Sequence, residues 1–457
     1  MDAGADGSAG WRGCRGRTLL GAAACGNESE VMVKALLTGG AKSDVNVLFG
    51  AKHESALHVA AARGAEAASE LLMMAGADPN LRDGKTAASS SPLHVAAEAG
   101  HDRVIGILVR NGAQVDAANG FQRRTPLHLA AAKGHALCIS ELLLGGADKD
   151  VGDSVGETPL FNAATNNHLG AVEKLLAAGS GPYIRSRFDV TPLEIAASRG
   201  HETILKAFLD NHSREVNATG FQGYAALHHA ACVAGPVRDN GDAVRALLEA
   251  GADVNVKADD NGGFTPLHVA VNRRMALICT IRALLEGGAD VNVVNDDGHT
   301  PLHVASMCLN VSGVELLLRW GADEMLKNQD GNTPADVTGG LSDTDLTYED
   351  IEADTRRIRR VLSRAPADRS WRRRSWLVLS RSHPTRVNIA ITSSRSSSRS
   401  GDNSDGCCAN VPRICKEELN GGDMKTEDQM MSDWEDLVGR LVGLEVDGLF
   451  RLVVGFL

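Results

Sequence analysis

Aromatic side chains supply only 4% of this 457-residue chain, although 43% of it is hydrophobic. A core so poor in rings has to be built from aliphatic and small residues, which suits helices packed through Ala and Leu and argues against a sheet-rich fold. No charge-free run approaches the roughly 18–20 residues that span a bilayer, and Met1 to Gly10 has no apolar segment of the signal-peptide kind. A basic excess is missing too. The net charge is −11, which favours solubility and gives no general footprint for nucleic acid. Paired cysteine spacing is also lacking: the nine Cys at 14, 25, 138, 232, 279, 308, 407, 408 and 415 are scattered, as in a reduced intracellular protein. These absences together predict a soluble cytoplasmic protein, with the nucleus as the other compartment.

What is present is a repeat. Thr265-Pro266-Leu267-His268-Val269-Ala270 recurs as near copies at Ser91, Thr125, Thr158, Thr191 and Thr300. Weaker copies start at Ser55, Ala225 and Thr333, and the faintest at Arg17. Successive starts lie 33 to 40 residues apart, and self-similarity at such a period is the signature of a repeat array.

Each residue type in the hexapeptide has a local task. Thr is a good helix N-cap, because its hydroxyl accepts from an otherwise orphaned backbone N–H. Pro at the first helical position loses no hydrogen bond and brings its φ already set. Leu starts an apolar stripe, and Ala pairs such as Ala130-Ala131 and Ala163-Ala164 let helices approach closely. A second apolar cluster follows about ten residues on, as at Leu142-Leu143 and Leu284-Leu285, and then Gly-Ala-Asp at 76–78, 146–148, 251–253, 288–290 and 321–323. Gly just past a helix accepts the left-handed conformation that stops it. The unit reads as helix, turn, helix, Gly stop and an extended polar turn.

The pattern resembles the ankyrin repeat, with Thr125-Pro126-Leu127-His128-Leu129-Ala130-Ala131, Gly134-His135 and Gly251-Ala252-Asp253-Val254-Asn255 carrying the match. About ten copies cover residues 17–340, and the atypical ones at Arg17 and Thr333 suit terminal caps. The resemblance implies an all-α solenoid of helix-turn-helix units. It also implies that the fourth-position His (His58, His94, His128, His228, His268, His303) hydrogen-bonds within and between repeats. His101, His135 and His201, each following Gly at the helix–helix turn, take structural places as well.

The remainder divides by composition. Residues 1–16 read as a disordered Gly-, Ala- and Arg-rich start, and 341–386 as a helical basic segment. In the latter, Thr347 to Ser363 reads as a helix with Thr347 as its cap and with Ile351, Ile358 and Leu362 on one face. Residues 387–432 read as a disordered Ser/Arg-rich linker and phosphorylation target, and 433–457 as an amphipathic helix or helix pair. The tail admits three roles: a cap or inhibitor folded on the repeats, an anchor on an anionic membrane surface, or an effector within an enzyme's regulatory subunit. The inserts around Ala87-Ala88-Ser89-Ser90 and 235–241 belong in loops.

No catalytic or cofactor pattern emerges, and neither a cofactor nor a metal is expected. His53-Glu54 starts a His-Glu-x-x-His, but position 57 is Leu; Gly84-Lys85-Thr86 ends a phosphate loop, but the first Gly would fall at Pro79. Cys407, Cys408 and Cys415 lack zinc-ligand spacing. A non-catalytic, monomeric scaffold or adaptor is the expectation. Such solenoids bind partners along the concave face and turn tips. At the positions that the repeat leaves free stand Phe121, Arg123, Arg124 and Lys133, then Arg185, Arg187, Phe188 and Arg199, then Phe221 and Tyr224, then Phe264 and Arg273. Aromatic and Arg side chains dominate interface hot spots. This strip over four repeats suits an acidic or phosphorylated protein segment.

Overall fold

The computed structural model describes residues 19–24, 29–50, 53–84, 89–212, 216–232, 239–274, 277–340 and 348–381. All lie in the unit Met1–Pro384; the second unit, Thr385–Leu457, is outside the described residues. So are the expectations for 1–16, 387–432 and 433–457, and the Thr347 cap.

The hexapeptide does open a helix wherever it is well kept. An inner row comprises α1 (Leu19–Ala23), α3 (Ala56–Arg63), α5 (Pro92–Ala99), α7 (Pro126–Lys133), α9 (Pro159–Thr165), α11 (Pro192–Ser198), α13 (Ala226–Ala231), α15 (Pro266–Val271) and α17 (Pro301–Met307). The outer row comprises α2 (Ser29–Thr38), α4 (Glu66–Met74), α6 (Asp102–Arg110), α8 (Ala136–Leu144), α10 (Leu169–Ala177), α12 (Glu202–His212), α14 (Gly241–Glu249), α16 (Ile278–Glu286) and α18 (Val311–Arg319). Each helix packs on its own partner and on its counterparts in the adjacent repeats, which makes two layers of helices stacked in series. Leu93, Leu127 and Leu160 of the inner row and Ile105, Ile139 and Leu175 of the outer row are fully buried. Burial stabilises by about 1.5–3 kcal/mol for each such side chain. The Ala pairs, from Ala60-Ala61 to Ala230-Ala231, are also wholly buried where the inner helices meet.

Polar side chains hold the stack in register. The Nδ1 atom of His128 accepts from the backbone N–H of Thr125 at 3.1 Å, so Nε2 carries the proton and donates to the Glu157 carbonyl of the next repeat at 2.9 Å. His94 does the same towards Arg124 O at 3.1 Å, and His268 towards His299 O at 3.0 Å. A second set of rings reaches backward: His135 Nε2 donates to Glu98 O at 3.1 Å and His168 Nε2 to Ala132 O at 3.1 Å. The ring of His168 lies over Gly134, whose φ of 78° and missing Cβ both serve the contact; a Cβ there would sit 2.6 Å from Nδ1. The Gly-His pair therefore works across repeats, glycine in one and imidazole in the next. A third set runs through the Gly-Ala-Asp turns. The Oδ1 of Asn80 accepts from Gln114 N at 2.8 Å, Asn217 from Asp253 N at 2.8 Å, and Asn255 from Asp290 N at 2.9 Å.

The ends differ from the middle. The copy at Thr333 forms a run of turns through Gly340, with Asp336 Oδ2 accepting from Thr333 N and Oγ1 at 2.8 and 2.7 Å. In its place α19 (Tyr348–Arg381) covers the last pair, burying Ile358, Leu362 and Ala365 against α18, with Ile351 half-buried beside them. Arg357 pairs with Glu315 at 3.1 Å and Arg274 with Asp354 at 2.8 Å. The helix continues past Ser363, where the sequence reading ends it, to Arg381. Its side chains beyond Ala365, Trp371 and Trp376 included, lie outside the described residues.

Candidate partner-binding surface

Turn tips that precede the Thr-Pro motifs are joined by backbone hydrogen bonds in two runs, from 122 to 187 and from 262 to 329, with Arg185–Thr219 and Asn261–Tyr224 side-chain bonds between them. Ser154 N donates to Gln122 O at 2.9 Å, Arg187 N to Val155 O at 2.8 Å, Asp296 N to Gly262 O at 3.0 Å and Gln329 N to Asp297 O at 3.1 Å. With the imidazole bridges beneath them, the tips form a fixed row rather than a set of independent loops. Gly156, Gly223, Gly263 and Gly298 take φ of 76°, 71°, 65° and 75° at the bend, whereas the tips before α7 and α11 place Arg123 (52°) and Asp189 (58°) there. An L-residue in that region is strained and is held by its surroundings.

The structure sorts eleven of the twelve sequence-derived candidates into two groups. Phe121 is 85% exposed and Phe188 65% exposed, and Arg123, Arg187, Arg199 and Arg273 also face solvent. Lys133 is exposed and 3.8 Å from Glu98, a pair worth under about 1 kcal/mol at that exposure. The others are committed inside the fold. Arg124 Nε lies 3.3 Å from the buried Asp153 carboxylate, and its guanidinium 3.9 Å from Glu157. Arg185 donates to Asp189 O at 2.7 Å and to Thr219 O in the next repeat at 2.8 Å. The Tyr224 ring stacks on His228 at 4.9 Å while its hydroxyl accepts from Asn261 Nδ2 at 2.8 Å. Phe264 is half-buried with its ring 5.5 Å from His268. The Phe221 side chain is outside the described residues. The strip is thus narrower than the sequence suggests, with its exposed rings on the tips of two repeats.

Burial governs the ionisable groups around it. His94, His228, His229 and His268 are pushed down to about 4 by desolvation, against the hydrogen bonds that His94, His228 and His268 donate to the Arg124, Phe264 and His299 carbonyls, which favour the charged ring. Desolvation likewise lowers His58, His128 and His303, and raises the carboxyls of Glu157 and Glu194. Burial, not bridging, keeps these imidazoles neutral, and six of the seven lowered rings are engaged in bonds from one repeat to the next. Among the described residues no three His, Cys, Asp or Glu side chains gather as a metal site would require. Among them, too, no helix is long and apolar enough to cross a membrane.

Several working residues were not visible in the sequence pattern. Asn240 and Asn310 take the place of the turn His, with Nδ2 donating to Ser198 O at 3.2 Å and Val271 O at 3.3 Å. Asp239, within the insert assigned to a loop, caps α16 by accepting from Thr280 N at 2.6 Å and Thr280 Oγ1 at 2.7 Å. Asn310 keeps the ten-residue spacing that His135 has from its Thr and differs only in residue type, whereas the insert shifts Asn240 and Asp239 out of the repeat's register.

A family model described as ankyrin repeats in three copies matches residues 3–83, 93–186, 160–258 and 237–328, which is most of the chain and most of the stacked helix pairs. No curated protein matches the chain.

Proposed function

The chain belongs to the ankyrin-repeat family, and from that premise we propose that it is a non-catalytic scaffold or adaptor that grips an acidic protein segment with the tips before α7 and α11. Ankyrin repeats are generally protein–protein interaction modules, and the family is typically non-catalytic. The observation that carries the reading is the exposure of Phe121 and Phe188, at 85% and 65%, on tips whose backbone is fixed. Large rings on a rigid scaffold bind at little entropic cost. The exposed guanidinium groups of Arg123, Arg187 and Arg199 give the strip a positive sign on a chain of net charge −11, which suits an acidic or phosphorylated partner. Cys138, Cys232 and Cys279, which form no disulfide, suit a reducing compartment, the cytoplasm or nucleus.

The test is quantitative affinity capture with the full chain, wild type against a variant carrying Phe121→Ala, Arg123→Glu, Arg187→Glu and Phe188→Ala. A set of partners lost from the variant, and eluted from the wild type by raised salt, supports the reading. Capture of every partner at wild-type strength by the variant sinks it.

A further inference from the structure

Two of the better-kept repeats lack the bridging imidazole: Phe161 and Glu194 stand where the others have His. Beside Glu194 the substitution coincides with a void. Its carboxylate turns back to its own turn, accepting from Thr191 N at 2.9 Å, and as an acceptor it cannot donate to the next repeat as His128 and His268 do. Arg185 makes the link instead, donating to Thr219 O at 2.8 Å. The two, 3.5 Å apart, both line a cavity of about 110 Å³, together with Tyr183 and Thr191 and with Leu193, Val216 and Ala226 on its apolar walls. It holds about four water-sized groups. Ala218, which is exposed, and Arg185, 28% exposed, stand at its mouth. Phe188, on the same turn as Arg185, places the mouth next to the proposed docking strip.

We infer that this cavity is an anchor pocket for a primary carboxamide, the side chain of an Asn or Gln in a bound protein segment. The polar groups select that chemistry. Glu194 is buried, at 3% side-chain exposure, with Oε1 only loosely held at 3.5 Å from Arg185. It accepts from Thr191 N and, through that longer contact, from Arg185, and a carboxylate oxygen has a lone pair left for a further donor. Arg185, above it, offers only donors. An ammonium would satisfy the carboxylate and meet the guanidinium; a carboxylate would do the reverse. A carboxamide carries one donor group and one acceptor without net charge, and an Asn side chain has about the four heavy atoms that the space admits. The apolar walls take its methylene.

This anchor role rests on the reading of the tips as a docking surface, but its test needs no protein partner. Methyl-labelled full-length protein is titrated with propionamide, and in parallel with propionate and propylammonium, while the methyl signals of Leu193, Val216 and Ala226 are followed by NMR. The expected result is saturable shifts with propionamide and at least tenfold weaker ones with either charged analogue. Glu194→His, which refills the space, and Ala218→Leu, which narrows the mouth, should each abolish them; the second keeps the test decisive if the first unfolds. Equal shifts with all three probes, no saturable shift with any, or binding retained in Ala218→Leu overturns the pocket and leaves it a water-filled gap. Loss of the pocket would leave the tip capture result standing, and loss of the tip result would leave the fragment titration standing.

Discussion

Acid should take this solenoid apart well above the pH at which most carboxylates protonate, and the imidazole bridges supply the size of the effect. His94, His228 and His268 have folded values of about 4 against an ordinary 6.5. The sign follows from proton counting. Between 6.5 and about 4 the unfolded chain binds protons that the folded chain refuses, so stability falls as pH falls through that window and is fully present above it. Each site contributes about 2 kcal/mol of loss by pH 5 and about 3 kcal/mol by pH 4. Three such sites amount to roughly 6 kcal/mol at pH 5, a large share of the 5–15 kcal/mol typical of a domain. His58, His128 and His303 act in the same direction. Glu157 and Glu194, whose carboxyls are raised by burial, act oppositely: their contribution is present below the ordinary carboxylate value and is lost as pH rises. They are too few to cancel seven lowered rings. The assay is urea unfolding followed by far-UV circular dichroism at fixed ionic strength, at about pH 7 and about pH 5. The midpoint should drop sharply at the lower pH, and a His94→Gln, His268→Gln variant should be weaker at pH 7 yet show a shallower pH dependence. A wild-type midpoint that does not move between the two pH values refutes the reasoning.

Other expectations concern single positions. Gly134→Ala should cost about 2 kcal/mol or more, because φ is 78° and the added Cβ meets the His168 ring; an unchanged thermal midpoint would show that the ring simply moves aside. Ile358→Ala should cost about 2–4 kcal/mol, since the side chain is wholly buried where α19 packs on α18, and should speed hydrogen exchange in α17 and α18 before the rest. Uniform exchange along the array would contradict the capping role of α19. Asp239→Ala should remove the cap of α16 for about 1–2 kcal/mol, measured as a fall in urea midpoint, where a tolerated loop insertion predicts none. Phe188→Ala should leave stability within about 0.5 kcal/mol, because the ring is 65% exposed.

The split between what sequence and structure decide has a physical origin. Thr-Pro-Leu-His, the Ala pairs and Gly-Ala-Asp are local devices: a cap, a preset φ, a small contact, a left-handed stop. Each acts within a few residues of itself, so the helix pairs, their order and their stacking were readable from spacing alone. The twelve candidate contacts were read by the same rule, as positions that the repeat leaves free, and there the rule reached its limit. Whether Arg124 faces a partner or Asp153, and whether the Tyr224 hydroxyl meets solvent or Asn261, depends on the next repeat, 29 and 37 positions away. The pairing of Gly134 with His168, the service of Asp239 as a distant cap and the void beside Glu194 also exist only once one repeat is laid on the next. The sequence by itself determined the solenoid, because its repeats are set by short-range geometry. Only the tertiary structure decided which side chains remain for a partner, because that is settled by the contacts each repeat makes with its neighbours.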